Sequence, residues 1–216
     1  MPFPVSGKLS KKITSKYTTM AHPEKTITGL FFGSFNPVHT GHLIIANHFI
    51  QYTDIEEVWF VITPQNPHKP KNQMLDEKER LDLLKLAIGN NPCFFPCDVE
   101  FSMKKPSYSV YTIKKLQKDY PGRIFKLLIG SDNLQFFDTW KDHKEIIALL
   151  DIQVYPRTVE KESPFLSHPA VSMVSAPLIE ISSSAIRSAI AAGKEPRYML
   201  PDAVLDRIIQ GGFYVD

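Results

Sequence analysis

His39 and His42 stand three residues apart in the run Gly33-Ser34-Phe35-Asn36-Pro37-Val38-His39-Thr40-Gly41-His42. That spacing puts both imidazoles on one face of a helix's first turn. Imidazoles beside the unpaired N–H groups of a helix start suit the negative charge that builds on phosphate during group transfer. Gly33 permits a tight turn, Asn36-Pro37 is a turn pair, and Gly41 removes a side chain where a nucleotide would approach the backbone. Zinc is the competing chemistry for two close histidines, but no Glu or Cys lies at ligand spacing with them. A pair of helix-start histidines satisfied by neighbouring carbonyls is the plain alternative. The run lacks the Gly-Lys-Ser/Thr of a P-loop and the three spaced glycines of a dinucleotide fingerprint.

Further segments offer complementary chemistry. Ile181-Ser182-Ser183-Ser184-Ala185-Ile186-Arg187 places hydroxyls at a helix start and a guanidinium one turn later, able to cap the helix or to grip polyphosphate. Ile129-Gly130-Ser131-Asp132-Asn133 ends a strand: Gly130 allows close approach and Asp132 can accept from a ribose hydroxyl. Trp140 follows, with a flat face for a heterocycle. A strand-end turn with a core Trp is the bland reading of the same residues.

These residues must be held by elements, and the chain alternates. Thr26–Phe32, Val58–Thr63, Phe94–Phe101, Arg123–Ile129, Asp151–Tyr155 and Ala170–Val174 read as strands. Helices are predicted over Thr40–Tyr52, Asp76–Ile88, Tyr108–Lys118, Asp142–Leu150, Ser183–Ala192 and Asp202–Ile209. Strands separated by helices imply an α/β fold with a mainly parallel sheet, helices on both faces and right-handed crossovers. Ligands bind such sheets at the carboxyl ends of strands, so the loops after Phe32, Thr63 and Ile129 are the informative ones.

The resemblance is then specific. His39-Thr40-Gly41-His42 resembles the HxGH motif of the nucleotidylyltransferase superfamily, and Ile181–Arg187 resembles its ISSTxIR motif, with Ser184 where Thr is usual. Gly130, Asp132 and Trp140 resemble the IGxDxxxxxxxW pattern of bacterial nicotinate-nucleotide adenylyltransferases. Pro64–Lys69 resembles that family's PxxxPHK loop, with Arg80 downstream, and Ser107-Tyr108-Ser109 its SYT segment. The resemblance runs from about Gly29 to the C-terminus and implies a doubly wound, Rossmann-like fold.

It also implies transfer of the adenylyl group of ATP to nicotinate mononucleotide, with Mg²⁺ bound on the ATP phosphates and no metal ligands from the chain. By the same resemblance, His42 and His39 are catalytic. ATP falls to Gly33, Ser34, Phe35, His39, Gly41, His42, Gly130, Asp132, Ile181, Ser182, Ser183 and Arg187. The mononucleotide falls to Asn36, Asn66, Lys69, Tyr108, Ser109 and Trp140, with the Pro64–Pro70 loop folding over it. The family's usual Gly-Gly-Thr-Phe-Asp-Pro is here Gly33-Ser34-Phe35-Asn36-Pro37, wording shared with nicotinamide-mononucleotide enzymes, so the amide substrate stays an alternative. Phosphopantetheine adenylyltransferase and a non-catalytic nucleotide sensor are the other rivals.

Bulk properties set outer limits. Hydrophobic residues make up 43% and charged residues 22% of 216, as in an ordinary globular chain. Residues 26–216 are expected to form one domain. Residues 1–25, with Lys8, Lys11, Lys12 and Lys16 among Ser, Thr and Pro, read as a disordered tail, and Met20 is a second candidate start. A formal charge of +2 is too weak for a nucleic-acid-coating protein. No apolar run reaches membrane-spanning length and the N-terminus lacks a secretory core, so a cytoplasmic location is expected. Cys93 and Cys97 read as thiols in a reducing compartment. Ser102–Ser107 faintly echoes the KMSKS loop of aminoacyl-tRNA synthetases, but 216 residues leave no room for an anticodon-binding domain. A homo-oligomer is compatible with the sequence.

Overall fold

The computed structural model of the chain describes residues 25–65, 74–158 and 163–215. Apart from Lys25, the expected tail lies outside them. Six strands form one all-parallel sheet: β1 (Thr26–Gly33), β2 (Glu57–Ile62), β3 (Phe94–Cys97), β4 (Arg123–Gly130), β5 (Ile152–Tyr155) and β6 (Val171–Met173). Their order is β3-β2-β1-β4-β5-β6, the Rossmann arrangement, in which the chain reverses direction of growth between β1 and β4. The crevice outside the carboxyl ends of those two strands is where such sheets bind ligands.

Because neighbouring residues of a strand point to opposite faces, the apolar runs feed two cores. Phe31 and Leu128 face one side, Leu30, Leu127 and Ile129 the other. The first face is covered by helices α1 (Thr40–Tyr52) and α2 (Glu77–Ile88). The second is covered by α3 (Ser109–Asp119). A short α4 (Ser131–Gln135) follows β4, and α5 (His143–Leu149) adds Ile146 to the second core. Helices α6 (Ser183–Ala191) and α7 (Asp202–Gly211) return to the first, through Ile186, Val204, Leu205 and Ile208. Helix spacing explains the fit: Ile45, Ala46, Phe49 and Ile50 of α1 recur on one face and are buried, as are Val110, Ile113 and Leu116 of α3.

The local chemistry of the helix ends agrees. Asp76 caps α2 by accepting from the Lys78 N–H at 2.9 Å, and Ser182 caps α6 by accepting from the Ala185 N–H at 3.2 Å. Helix α7 stops at Gly212, whose φ of 58° a glycine adopts without strain.

Two elements differ from expectation. The strand expected over Phe94–Phe101 stops at Cys97, and Val99–Ser102 is a 3₁₀ turn. Pro96 has no N–H for a ladder and sits on the edge strand. The turn then carries Glu100 inward, where Ser107 and Thr112 donate hydroxyls to it at 2.5 and 2.7 Å. Helix α4 was not expected: Ser131–Gln135 is too short to show a hydrophobic period. Cys93 and Cys97 form no disulfide. No helix among the described residues is long and apolar enough to cross a membrane.

Candidate active site

Two adjoining cavities open beside the ends of β1 and β4. The smaller, about 490 Å³, is polar; the larger, about 810 Å³, is more apolar, and Gly33, Ser34, Asn133 and Tyr155 border both.

The turn after β1 builds the floor of the smaller cavity. Its left-handed residue is Phe35 (φ 44°). Gly33 leaves room for the turn: a Cβ there would stand 2.9 Å from the Phe35 ring. Phe35, expected to contact ATP, is 2% exposed and packs edge-on against His42 with centroids 5.0 Å apart. It supports the imidazole from below. Asn36, expected to contact the mononucleotide, lines the smaller cavity and not the one holding Trp140. Its Oδ1 accepts from the Leu75 N–H at 3.1 Å and from the Tyr214 hydroxyl at 2.9 Å, so it joins three distant segments.

Helix α1 starts at this cavity, its Thr40 N–H tied to the Met199 carbonyl at 2.9 Å. The His39 and His42 rings stack with centroids 3.7 Å apart and planes 24° apart. The His39 backbone N–H donates to His42 Nδ1 at 3.2 Å. A neutral imidazole that accepts at Nδ1 carries its hydrogen on Nε2, so His42 has a donor to offer at its other nitrogen. His39 is 5% exposed; burial, with the Arg157 guanidinium adding to it, pulls its imidazole from the ordinary 6.5 down to about 4. At neutral pH it is uncharged. Gly41 is confined: a Cβ would meet Ile179 Cγ2 at 2.8 Å and the His39 ring at 3.1 Å.

From the other end of the chain, Ile181, Ser182, Ser183 and Arg187 line the same small cavity. Ser183 Oγ donates to the Pro37 carbonyl at 2.9 Å, and Arg187 donates to the Asn36 carbonyl at 2.8 Å. Residues about 150 positions apart are thereby stapled into one wall. Asp132 also lines it. Gly130, expected with ATP, borders the larger cavity, and a Cβ there would collide with Asp132 Oδ1.

Tyr108, Ser109 and Trp140 line the larger cavity together. Asn66, Lys69 and the expected loop from residue 66 onward lie outside the described residues. Arg80 is no ligand-facing group: 1% exposed, it donates to the carbonyls of Ser34 (2.6 Å), Thr63 (2.9 Å), Leu75 (3.0 Å) and Pro64 (3.1 Å). Sequence reasoning missed Arg157, which lines the small cavity, faces Asp132 at 3.7 Å and donates to the Ile179 carbonyl. Its signal was available, since it follows β5 at the carboxyl end of the sheet.

Among the described residues no group of three or more His, Cys, Asp or Glu could hold a metal ion. A donor set this poor in carboxylates fits a divalent cation that keeps its waters and is bound through phosphate oxygens.

Residues 30–189 match the family model described as cytidylyltransferase-like. A relative from Cytophaga hutchinsonii, described as "Probable nicotinate-nucleotide adenylyltransferase", is 45% identical over 86% of this chain and 97% of its own. One from Bacteroides fragilis with the same description is 44% identical over 86% and 92%. The chain belongs to the nicotinate-nucleotide adenylyltransferase family. Among solved structures, Plasmodium falciparum nicotinic acid mononucleotide adenylyltransferase complexed with NaAD superposes with a TM-score of 0.73, at 19% identity, over 88% of this chain and 97% of that one. That likeness is one of fold. It agrees with the fold described above, in which Asn36 and Pro37 are bonded to Arg187 and Ser183.

Proposed function

We propose that the chain transfers the adenylyl group of ATP to nicotinate mononucleotide, giving nicotinate adenine dinucleotide and pyrophosphate, in NAD biosynthesis. Membership of the family supports the reaction. The observation that carries the site is the shared wall: His39, His42, Ser183 and Arg187, from opposite ends of the chain, line one polar cavity that adjoins another lined by Trp140.

ATP lies with its polyphosphate in the smaller cavity, against the start of α1 and the residues Ser182, Ser183 and Arg187. The pyridine mononucleotide occupies the larger one, its ring on Trp140 and its rim at Tyr108 and Ser109. An oxygen of the mononucleotide phosphate forms a bond to the α-phosphorus while the bond from that phosphorus to the bridging β-phosphate oxygen breaks. Pyrophosphate leaves with both electrons of that bond. The nucleophile is already an anion, so no general base is needed, and catalysis is positioning plus charge stabilisation. His42 Nε2–H donates to the α-phosphate oxygens as charge builds there, and His39, uncharged and stacked beneath it, fixes its plane. Mg²⁺ carried by the phosphates supplies charge neutralisation. A cytoplasmic location belongs to the same reading.

The test is pyrophosphate release by the purified protein with ATP, Mg²⁺ and nicotinate mononucleotide. Turnover with dinucleotide formed in equal amount is expected. ATP binding without turnover on any mononucleotide contradicts the proposal.

A further inference from the structure

The acid and the amide of the pyridine mononucleotide share every group except one: a carboxylate replaces a neutral carboxamide. A cation beside the ring is one direct way to separate them, since it attracts the acid and not the amide. Among the described residues lining the larger cavity, Lys141 is the one cation and Glu100 the one carboxylate. Glu100 is turned inward, 1% exposed, with each oxygen accepting a hydroxyl from Ser107 or Thr112. Lys141 follows Trp140 directly. Its ammonium stands 5.6 Å from the Tyr108 ring and 5.9 Å from the Tyr111 ring, within cation–π reach of both. Those rings lie nearly perpendicular, at 84°, and the ammonium stands within reach of both. Its anionic neighbour Asp142 is 3.8 Å away, with both side chains well exposed, a pairing too weak to take the cation out of play. The first turn of α3, which carries Ser109 to the same rim, has no acidic residue.

We infer that Lys141 is the residue by which the site selects the pyridine acid over its amide. This rests on the adenylyl-transfer reading above, with the ring on Trp140. The cation adds attraction for the nicotinate carboxylate and gives nothing to the carboxamide. Its contact with the two aromatic faces keeps the ammonium at the cavity rim beside Trp140.

The test compares kcat/KM for nicotinate and nicotinamide mononucleotides in the full-length protein and in Lys141→Met and Lys141→Arg. In Lys141→Met the acid-to-amide ratio should fall about tenfold, equivalent to about 1.4 kcal/mol. Lys141→Arg should restore most of it, and KM for ATP serves as the check on the fold. An unchanged ratio, or equal losses on both substrates, overturns the inference and leaves adenylyl transfer standing. A wild-type protein that turns over neither mononucleotide overturns both.

Discussion

His42 combines two constraints that rarely meet at one side chain: a fixed tautomer and a fixed plane. The N–H of His39 holds its Nδ1 at 3.2 Å, and rings press it from two sides. His42→Ala should therefore lower kcat by about 10²–10³, or about 2.7–4 kcal/mol, as for the loss of one preorganised oxyanion donor. Near-wild-type turnover would remove His42 from the mechanism. His39 makes a different prediction. Its folded-state value, about 4, lies below the ordinary 6.5, so between those limits the unfolded chain binds a proton that the folded chain does not. Stability is fully present above pH 6.5 and is lost as pH falls towards 4. Going from pH 7 to pH 5 should cost about 2 kcal/mol through this group alone. Urea titrations of the wild type and His39→Asn at both pH values should show the pH-dependent difference shrink in the variant. A difference equally large in both would contradict the assignment. The pairing of the two histidines was legible from their spacing. The depressed proton affinity was not, because it comes from burial and from Arg157, 118 positions away.

At the scale of elements, the turn between β1 and α1 is held from outside itself. Arg80 on α2 reaches four carbonyls in three segments, and Ser183 and Arg187 on α6 clasp Asn36 and Pro37. Arg80→Met would strip four acceptors, one buried and three part-buried, of a charged donor, and should cost about 3 kcal/mol in chemical denaturation. A loss below about 1 kcal/mol would show that the carbonyls find other partners. The positions of strands and helices were readable because apolar residues recur with their periods. The conformation of the turn was not. Periodicity says nothing about which residue takes positive φ; here it is Phe35, whose ring packs against Phe31, Phe60 and His42. Phe35 and Asn36 line the smaller cavity while also packing and bonding within the fold, a second role that residue type alone could not reveal. The 3₁₀ turn at Val99–Ser102 is a similar case: Phe94, Phe95, Cys97 and Val99 read as strand, but Pro96 and the inward Glu100 end it.

Across the whole molecule, the reversal of strand order between β1 and β4 creates one crevice with two compartments. His39, His42 and Arg187 stand in one, Trp140, Tyr108 and Lys141 in the other, and the proposed binding mode puts polyphosphate in the first and the pyridine ring in the second. Trp140→Ala should accordingly raise KM for the mononucleotide several-fold or more, while KM for ATP stays within about twofold, since a lost stacking surface is worth about 0.5–1.5 kcal/mol beyond its area. Equal effects on both constants would contradict the division. The parallel sheet was readable from strands alternating with helices, while the strand order β3-β2-β1-β4-β5-β6 emerges only in the fold. The staple that brings residues 36 and 187 together could only be seen folded. A structure with a non-hydrolysable ATP analogue tests the central claim most directly. The account predicts the His42 Nε2 and the Arg187 guanidinium on oxygens of the same polyphosphate. An analogue whose phosphates touch only one of them, or lie in the Trp140 compartment, would contradict it.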